Sequence, residues 1–154
     1  MGAFFFDSSA LVKCYIKETG TAWARSLVDA QPPNEIVIAQ VTGVEIIAAI
    51  TRRLRAGATT PADAAQAISA FRNDFQSLYE VVAISASLIE EAMDLAELHG
   101  LRGYDAVQLA TALLVKAGMT ASGVGPLTLI SADGDLNQAA QAEGLLTDDP
   151  NQHP

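Results

Sequence analysis

The chain has 154 residues, half of them hydrophobic, with nine basic and 18 acidic residues and a formal net charge of −9. That length suits one domain, which buries about two-thirds of its unfolded surface and needs no disulfide or structural metal. The single Cys14 excludes an internal bridge and fits a reducing cytoplasm, no apolar run approaches the roughly 20 residues of a membrane span, and a signal peptide's basic flank and cleavage site are missing. The charge is uneven. Residues 1–72 hold seven basic and six acidic residues, whereas residues 73–154 hold two basic and 12 acidic. Any contact with phosphate is therefore expected from the first half, with the acidic second half facing water.

In chain order, within Ala3–Leu11 three aromatics in a row followed by Asp7 read as a short buried strand whose last residue delivers a carboxylate where a helix begins. In open α/β sheets ligands bind beyond the carboxyl ends of the strands, so Asp7 is a site candidate; as a good helix cap it also has a purely structural reading. Ser8–Glu18 has helical spacing, with Ser8 or Ser9 as its cap, and Thr21–Ala30 is a second short helix carrying Trp23 into the core. Cys14 reads as packing filler, since no acid or histidine stands ready to activate it. Glu35–Ala39 is a second strand. The helix from Val41, stopped by Gly57, sets Glu45 among Val44, Ile46, Ile47 and Ala48. An ionised group so placed costs several kcal/mol, to order of magnitude, unless a cation or hydrogen-bond partner compensates it. Glu45 therefore asks for a cation, unless it pairs with an arginine or looks out through a gap between its hydrophobic neighbours. Arg52, two turns further along, can reach a phosphate beside Glu45, while Arg52, Arg53 and Arg55 together also suit a solvated helix end.

Thr60-Pro61-Ala62-Asp63 opens a helix that runs to about Leu78. Tyr79–Ile84 is a third strand, and Ser85–His99 a helix whose Glu90, Glu91, Asp94 and Glu97 form a solvated face. His99 has no second histidine or cysteine at ligand spacing and is expected to serve its helix terminus. Residues 101–118 make an apolar helix with Asp105 in its first turn, where an acid also suits the helix dipole. Leu127–Ile130 is a fourth strand running into Ser131, Asp133 and Asp135, followed by a helix over Leu136–Ala142. Leu145–Leu146 is a short last strand, so the domain covers residues 1–146, and 147–154 read as a tail.

Strands alternating with helices argue a parallel sheet with its carboxyl ends on one side. Asp7, Glu45, Asp105 and Asp133 could then converge at one edge. A like-charged pair 4 Å apart repels by roughly 4 kcal/mol at an effective dielectric near 20. A divalent cation removes the conflict, and oxygen-only ligands select Mg²⁺ or Mn²⁺ over Zn²⁺.

Four stretches, FFFDSSALVKCY, VTGVEIIAAI, LRGYDAVQLATAL and LISADGDLNQAAQAEGL, stand in order between Phe4 and Leu145. This ordered set resembles the PIN-domain family, in particular VapC-type ribonuclease toxins of bacterial toxin–antitoxin pairs. The resemblance implies a three-layer α/β/α fold with a parallel sheet of four to five strands. It implies that Asp7, Glu45, Asp105 and Asp133 hold Mg²⁺ or Mn²⁺ for endonucleolytic RNA cleavage, supported by Ser131, with Asp135 as an additional or alternative acid and Ser8 nearby. It further implies a homodimer and an inhibitory antitoxin whose C-terminal segment lies over the site. Lys13, Arg52 and Arg102 are the candidate contacts to RNA phosphates.

Two other classes compete. A non-catalytic binding module of the same fold suits the acidic balance, but a degenerate site should have lost one of the four acids. Phosphoryl transfer through Asp7 wants a second Asp two residues on, where Ser9 stands.

Overall fold

The computed structural model describes residues 1–154. Five strands, β1 (Ala3–Phe6), β2 (Glu35–Ala39), β3 (Glu80–Val82), β4 (Leu127–Ile130) and β5 (Leu146–Asp148), form one parallel sheet in the order β3-β2-β1-β4-β5. Seven helices surround it: α1 (Ser8–Leu11), α2 (Thr21–Val28), α3 (Val41–Arg55), α4 (Pro61–Ser77), α5 (Ala86–His99), α6 (Gly103–Ala121) and α7 (Gly134–Ala142).

The run of phenylalanines in β1 is explained by its central place. Successive strand residues face opposite sides, and both sides are covered. Phe6, with Ile36 and Ile38 of β2, packs against Leu11, Ile46, Ile50 and Phe71 from α1, α3 and α4. Phe5, with Val37 and Leu129, packs on the other side against Leu109 of α6 and Leu136 of α7. Both rings are wholly buried, each contributing roughly 2–3 kcal/mol. The α5 helix stacks outside α6 through Leu88, Ala92, Ala106 and Ala110. The three-layer α/β/α arrangement is thus the one expected, and no helix is long and apolar enough to cross a membrane.

Several local expectations need correction. The helix expected over Ser8–Glu18 stops at Leu11 and tightens into a 3₁₀ turn over Val12–Cys14. Lys13 causes the turn: it is 5% exposed and donates to the Thr19 carbonyl and to Asn151 Oδ1 at 3.0 Å each, drawing the chain back on itself. The cap of α1 is Asp7, not Ser8 or Ser9. The third strand keeps only Glu80–Val82, the residues that find partners in Val37–Ala39. The last strand is Leu146–Asp148, paired with Thr128–Ile130, while Leu145 is buried in the core.

The residues beyond β5 are held down rather than loose. Pro150 is buried at the start of a 3₁₀ turn over Pro150–Gln152, and it packs so closely on Gly20 that a Cβ there would meet its carbonyl oxygen at 2.2 Å. His153 stacks on Trp23 with ring centres 4.1 Å apart. Trp23, expected in the core, is therefore half-buried beneath the end of the chain.

Helix α4 begins as expected, with Thr60 Oγ1 accepting from the Asp63 amide at 3.1 Å and Pro61 at the first position. Thr60→Ala should lower stability by about 1 kcal/mol without altering function. A urea midpoint shift with an unchanged slope checks this, and an unaffected midpoint would refute the cap's contribution.

Candidate active site

Strand order places the change of direction at β1, which is paired on one side with β2 and on the other with β4. A crevice opens beyond the carboxyl ends of strands at such a point. Here it is a cleft of about 590 Å³ lined by Asp7, Glu45, Asp105 and Asp133, together with Ser8, Lys13, Arg52, Arg102 and Tyr104. All four acids singled out from the sequence thus meet one cavity. No three His, Cys, Asp or Glu side chains close around a single point as a finished metal cage; the four carboxylates stand apart on the walls, each under its own restraints.

Asp7 is the most enclosed, at 2% exposure. The strand ends at Phe6, and Asp7 caps α1, its Oδ1 accepting from the Ala10 amide at 3.0 Å. Ser9 Oγ donates to the same carboxylate at 2.7 Å, and Ser131 Oγ donates to Oδ2 at 2.9 Å. The capping and site readings are therefore compatible, because one oxygen can hold the helix while the group still faces the cleft. Burial pushes the Asp7 carboxyl up from 3.8 to about 7 despite these hydrogen bonds, with Asp105 adding a smaller push.

Asp105 sits in the first turn of α6 and is 6% exposed. Its carboxyl rises from 3.8 to about 6, mainly through burial and then through Asp133, with Arg102 opposing and Glu45 and Asp135 adding smaller pushes. Asp133 caps α7, its Oδ1 accepting from the Asp135 and Leu136 amides at 2.9 and 3.1 Å. Asp135 is exposed and does not line the cleft.

Glu45 finds neutral partners rather than the arginine considered above. Ser8 Oγ donates to Oε2 at 2.7 Å, and Gln108 Nε2 donates to Oε1 at 2.9 Å and to Thr42 Oγ1 at 2.9 Å. Gln108 is 1% exposed, and its Oε1 is buried without a partner. The candidate cations differ. Arg52 and Arg102 are exposed at the rim, Arg102 donating to the Tyr104 phenol at 3.2 Å. Lys13 is committed to Thr19 and Asn151, with Glu18 at 3.5 Å, and reaches a phosphate only by giving up one of them.

Residues 4–142 match the family model described as PIN domain. The chain belongs to the PIN-domain family. This PIN domain is 34% identical to two Mycobacterium tuberculosis proteins, Ribonuclease VapC45 and Ribonuclease VapC49, over 115 residues that span 75% of this chain and 78% of each relative. Among solved structures it is similar to Mycobacterium tuberculosis VapC20, a sarcin–ricin loop cleaving toxin, with a TM-score of 0.64 at 20% identity over 94% of this chain and 97% of that one. A toxin–antitoxin complex from Klebsiella pneumoniae gives 0.59 at 21% identity, over 85% and 87%. At these identities the structural likeness establishes the fold.

Three polar residues of this PIN domain escaped the sequence reading. Ser9 both donates to Asp7 and accepts the Ala132 amide at 2.9 Å, tying the first strand end to the fourth. Gln108 and Thr42 brace Glu45 across two helices. A signal for Gln108 was available, as a polar residue one turn after Asp105 in an apolar helix stretch. Thr42, one turn before Glu45, offered the same hint.

Proposed function

We propose that this PIN domain is a Mg²⁺- or Mn²⁺-dependent endoribonuclease, the toxin of a toxin–antitoxin pair, acting as a homodimer whose cognate antitoxin restrains it. The observation that carries the activity is the single cleft shared by Asp7, Glu45, Asp105 and Asp133. The ribonuclease names of its relatives support the reaction, and the similar toxin–antitoxin complex from Klebsiella pneumoniae supports the partner.

The donor set fits a hard divalent cation, being all oxygen, with two carboxyls held at raised values by burial and no arginine or lysine paired directly with them. Asp7, Asp105, Asp133 and Glu45 would hold it, and such an ion supplies an activated water and offsets charge on the scissile phosphate. The chain's own parts orient this chemistry. Ser9 and Ser131 fix the Asp7 carboxylate, and Ser8 and Gln108 fix Glu45, so neither acid must reorganise as substrate arrives. Arg52 and Arg102 at the rim meet the RNA backbone.

The test is cleavage of a mixed-sequence single-stranded RNA with Mn²⁺, Mg²⁺ or EDTA, with Asp105→Asn excluding a contaminating nuclease. Cleavage that needs the metal and disappears in the variant supports the reading; activity in EDTA or in Asp105→Asn overturns it. Gln108→Leu should remain folded and lower kcat/KM by about tenfold, the effect of losing one hydrogen bond to a charged group. Unchanged kinetics would remove Gln108 from the supporting set.

A further inference from the structure

Of the nine basic residues, five have partners within the chain. Lys13, Arg25 and Arg53 are in ion pairs, Arg102 donates to Tyr104, and Lys116 donates to the Glu143 and Gly144 carbonyls. The remaining four are Lys17, Arg52, Arg55 and Arg72. Three of these four line one groove of about 700 Å³ between α3 and α4. None of the residues lining it is acidic, in a chain with twice as many acids as bases.

The groove adjoins the catalytic cleft across one ridge of α3, since Val44, Ala48 and Arg52 line both. Its floor includes Phe75, a half-buried ring. Gly43 makes room for that ring: a Cβ there would stand 3.0 Å from it. An unpaired positive track with an aromatic floor has the makings of a single-strand nucleic-acid path, in which phosphates follow the cations and a base stacks on the ring.

We propose that this groove binds the single-stranded RNA flanking the scissile phosphate, with Arg55 and Arg72 holding backbone phosphates beyond the reach of the cleft. The assignment rests on the ribonuclease reading above. An acidic peptide would share the charge complementarity, but RNA is favoured because the track lies beside the cavity where a phosphodiester is to be cut, with Arg52 common to both.

The experiment measures binding by fluorescence anisotropy, using full-length Asp105→Asn protein with Mg²⁺ and labelled single-stranded RNAs of four and twelve nucleotides. Adding Arg55→Ala and Arg72→Ala together should weaken the twelve-nucleotide RNA by about tenfold and reduce the salt slope by about 1.4, that is, 0.7 for each phosphate no longer neutralised. The four-nucleotide RNA, confined to the cleft, should bind equally to both proteins. Equal loss for both lengths, or no loss for either, overturns the proposal. So does an acidic amphipathic peptide whose binding needs the two arginines when RNA binding does not. Because binding is measured without turnover, failure of the groove is separable from failure of catalysis, which shows itself instead as an unchanged chain that never cleaves RNA.

Discussion

Stripped of divalent cations at pH 8, Asp7→Asn should melt above the unchanged chain while cleaving no RNA. Burial lifts the Asp7 carboxyl from 3.8 to about 7 in the folded protein. Between those values the folded state retains a proton that the unfolded chain has released, so this group's contribution to stability falls as pH rises through that window. Above about pH 7 the penalty is complete, and it corresponds to roughly 4 kcal/mol on the ionised form. Asparagine avoids the charge but fits the donors Ser9 and Ser131 less well, which leaves a gain of about 2 kcal/mol, or roughly 4–8 °C at this chain length. The difference between the two proteins should shrink towards pH 4. Melting curves at pH 4, 6 and 8 decide it, and a variant that melts lower at pH 8 would show that the hydrogen bonds outweigh the buried charge. Adding Mg²⁺ should raise the unchanged chain and leave the variant where it was.

Gly20→Ala should cost about 3 kcal/mol. Gly20 has a φ of +83°, where an L side chain is strained by roughly 1–2 kcal/mol. Its new methyl group would also lie 2.2 Å from the Pro150 carbonyl oxygen and 2.7 Å from the carbonyl carbon. Backbone atoms cannot rotate aside, so the closing turn must move, at a further cost of roughly 1–3 kcal/mol. Lys13 would then lose Asn151, and Trp23 would lose the stacked His153. Gly57 provides the control, with a φ of +74° and open space around it; Gly57→Ala should lose only the strain. Urea unfolding of both variants separates the terms. Equal losses would mean that the packing of Gly20 on Pro150 is slack.

The strands β1, β2 and β4 were legible because each is a continuous apolar run bounded by turn or cap residues. The strand β4 lies over Leu127–Ile130, as read, and an acid at its end marked the cleft. Helix α4 announced itself through Thr60 and Pro61. The broken first helix was not legible, because the hydrogen bond that bends it joins Lys13 to a residue 138 positions away. Gln108 was missed for the same reason, since it meets Glu45 63 residues away; Ser9, read only as a cap, bonds Asp7 two residues away, but its link to the Ala132 amide spans 123 residues. Of the four acids, Asp7 and Asp105 are buried, Glu45 and Asp133 only partly so. Their separate positions on the cleft walls depend on helix-start geometry and on hydrogen bonds that no periodicity encodes.

The hydrogen bond between Ser131 and Asp7 spans 124 residues, and β1 lies between β2 and β4. A ribosome delivers these pieces in sequence, so Asp7 lacks its Ser131 partner until β4 has been made. At about 5–20 residues per second the wait between Asp7 and Ser131 is roughly 6–25 s. The growing polypeptide therefore has no assembled cleft while the residues between Asp7 and Ser131 are being added, a delay set by elongation.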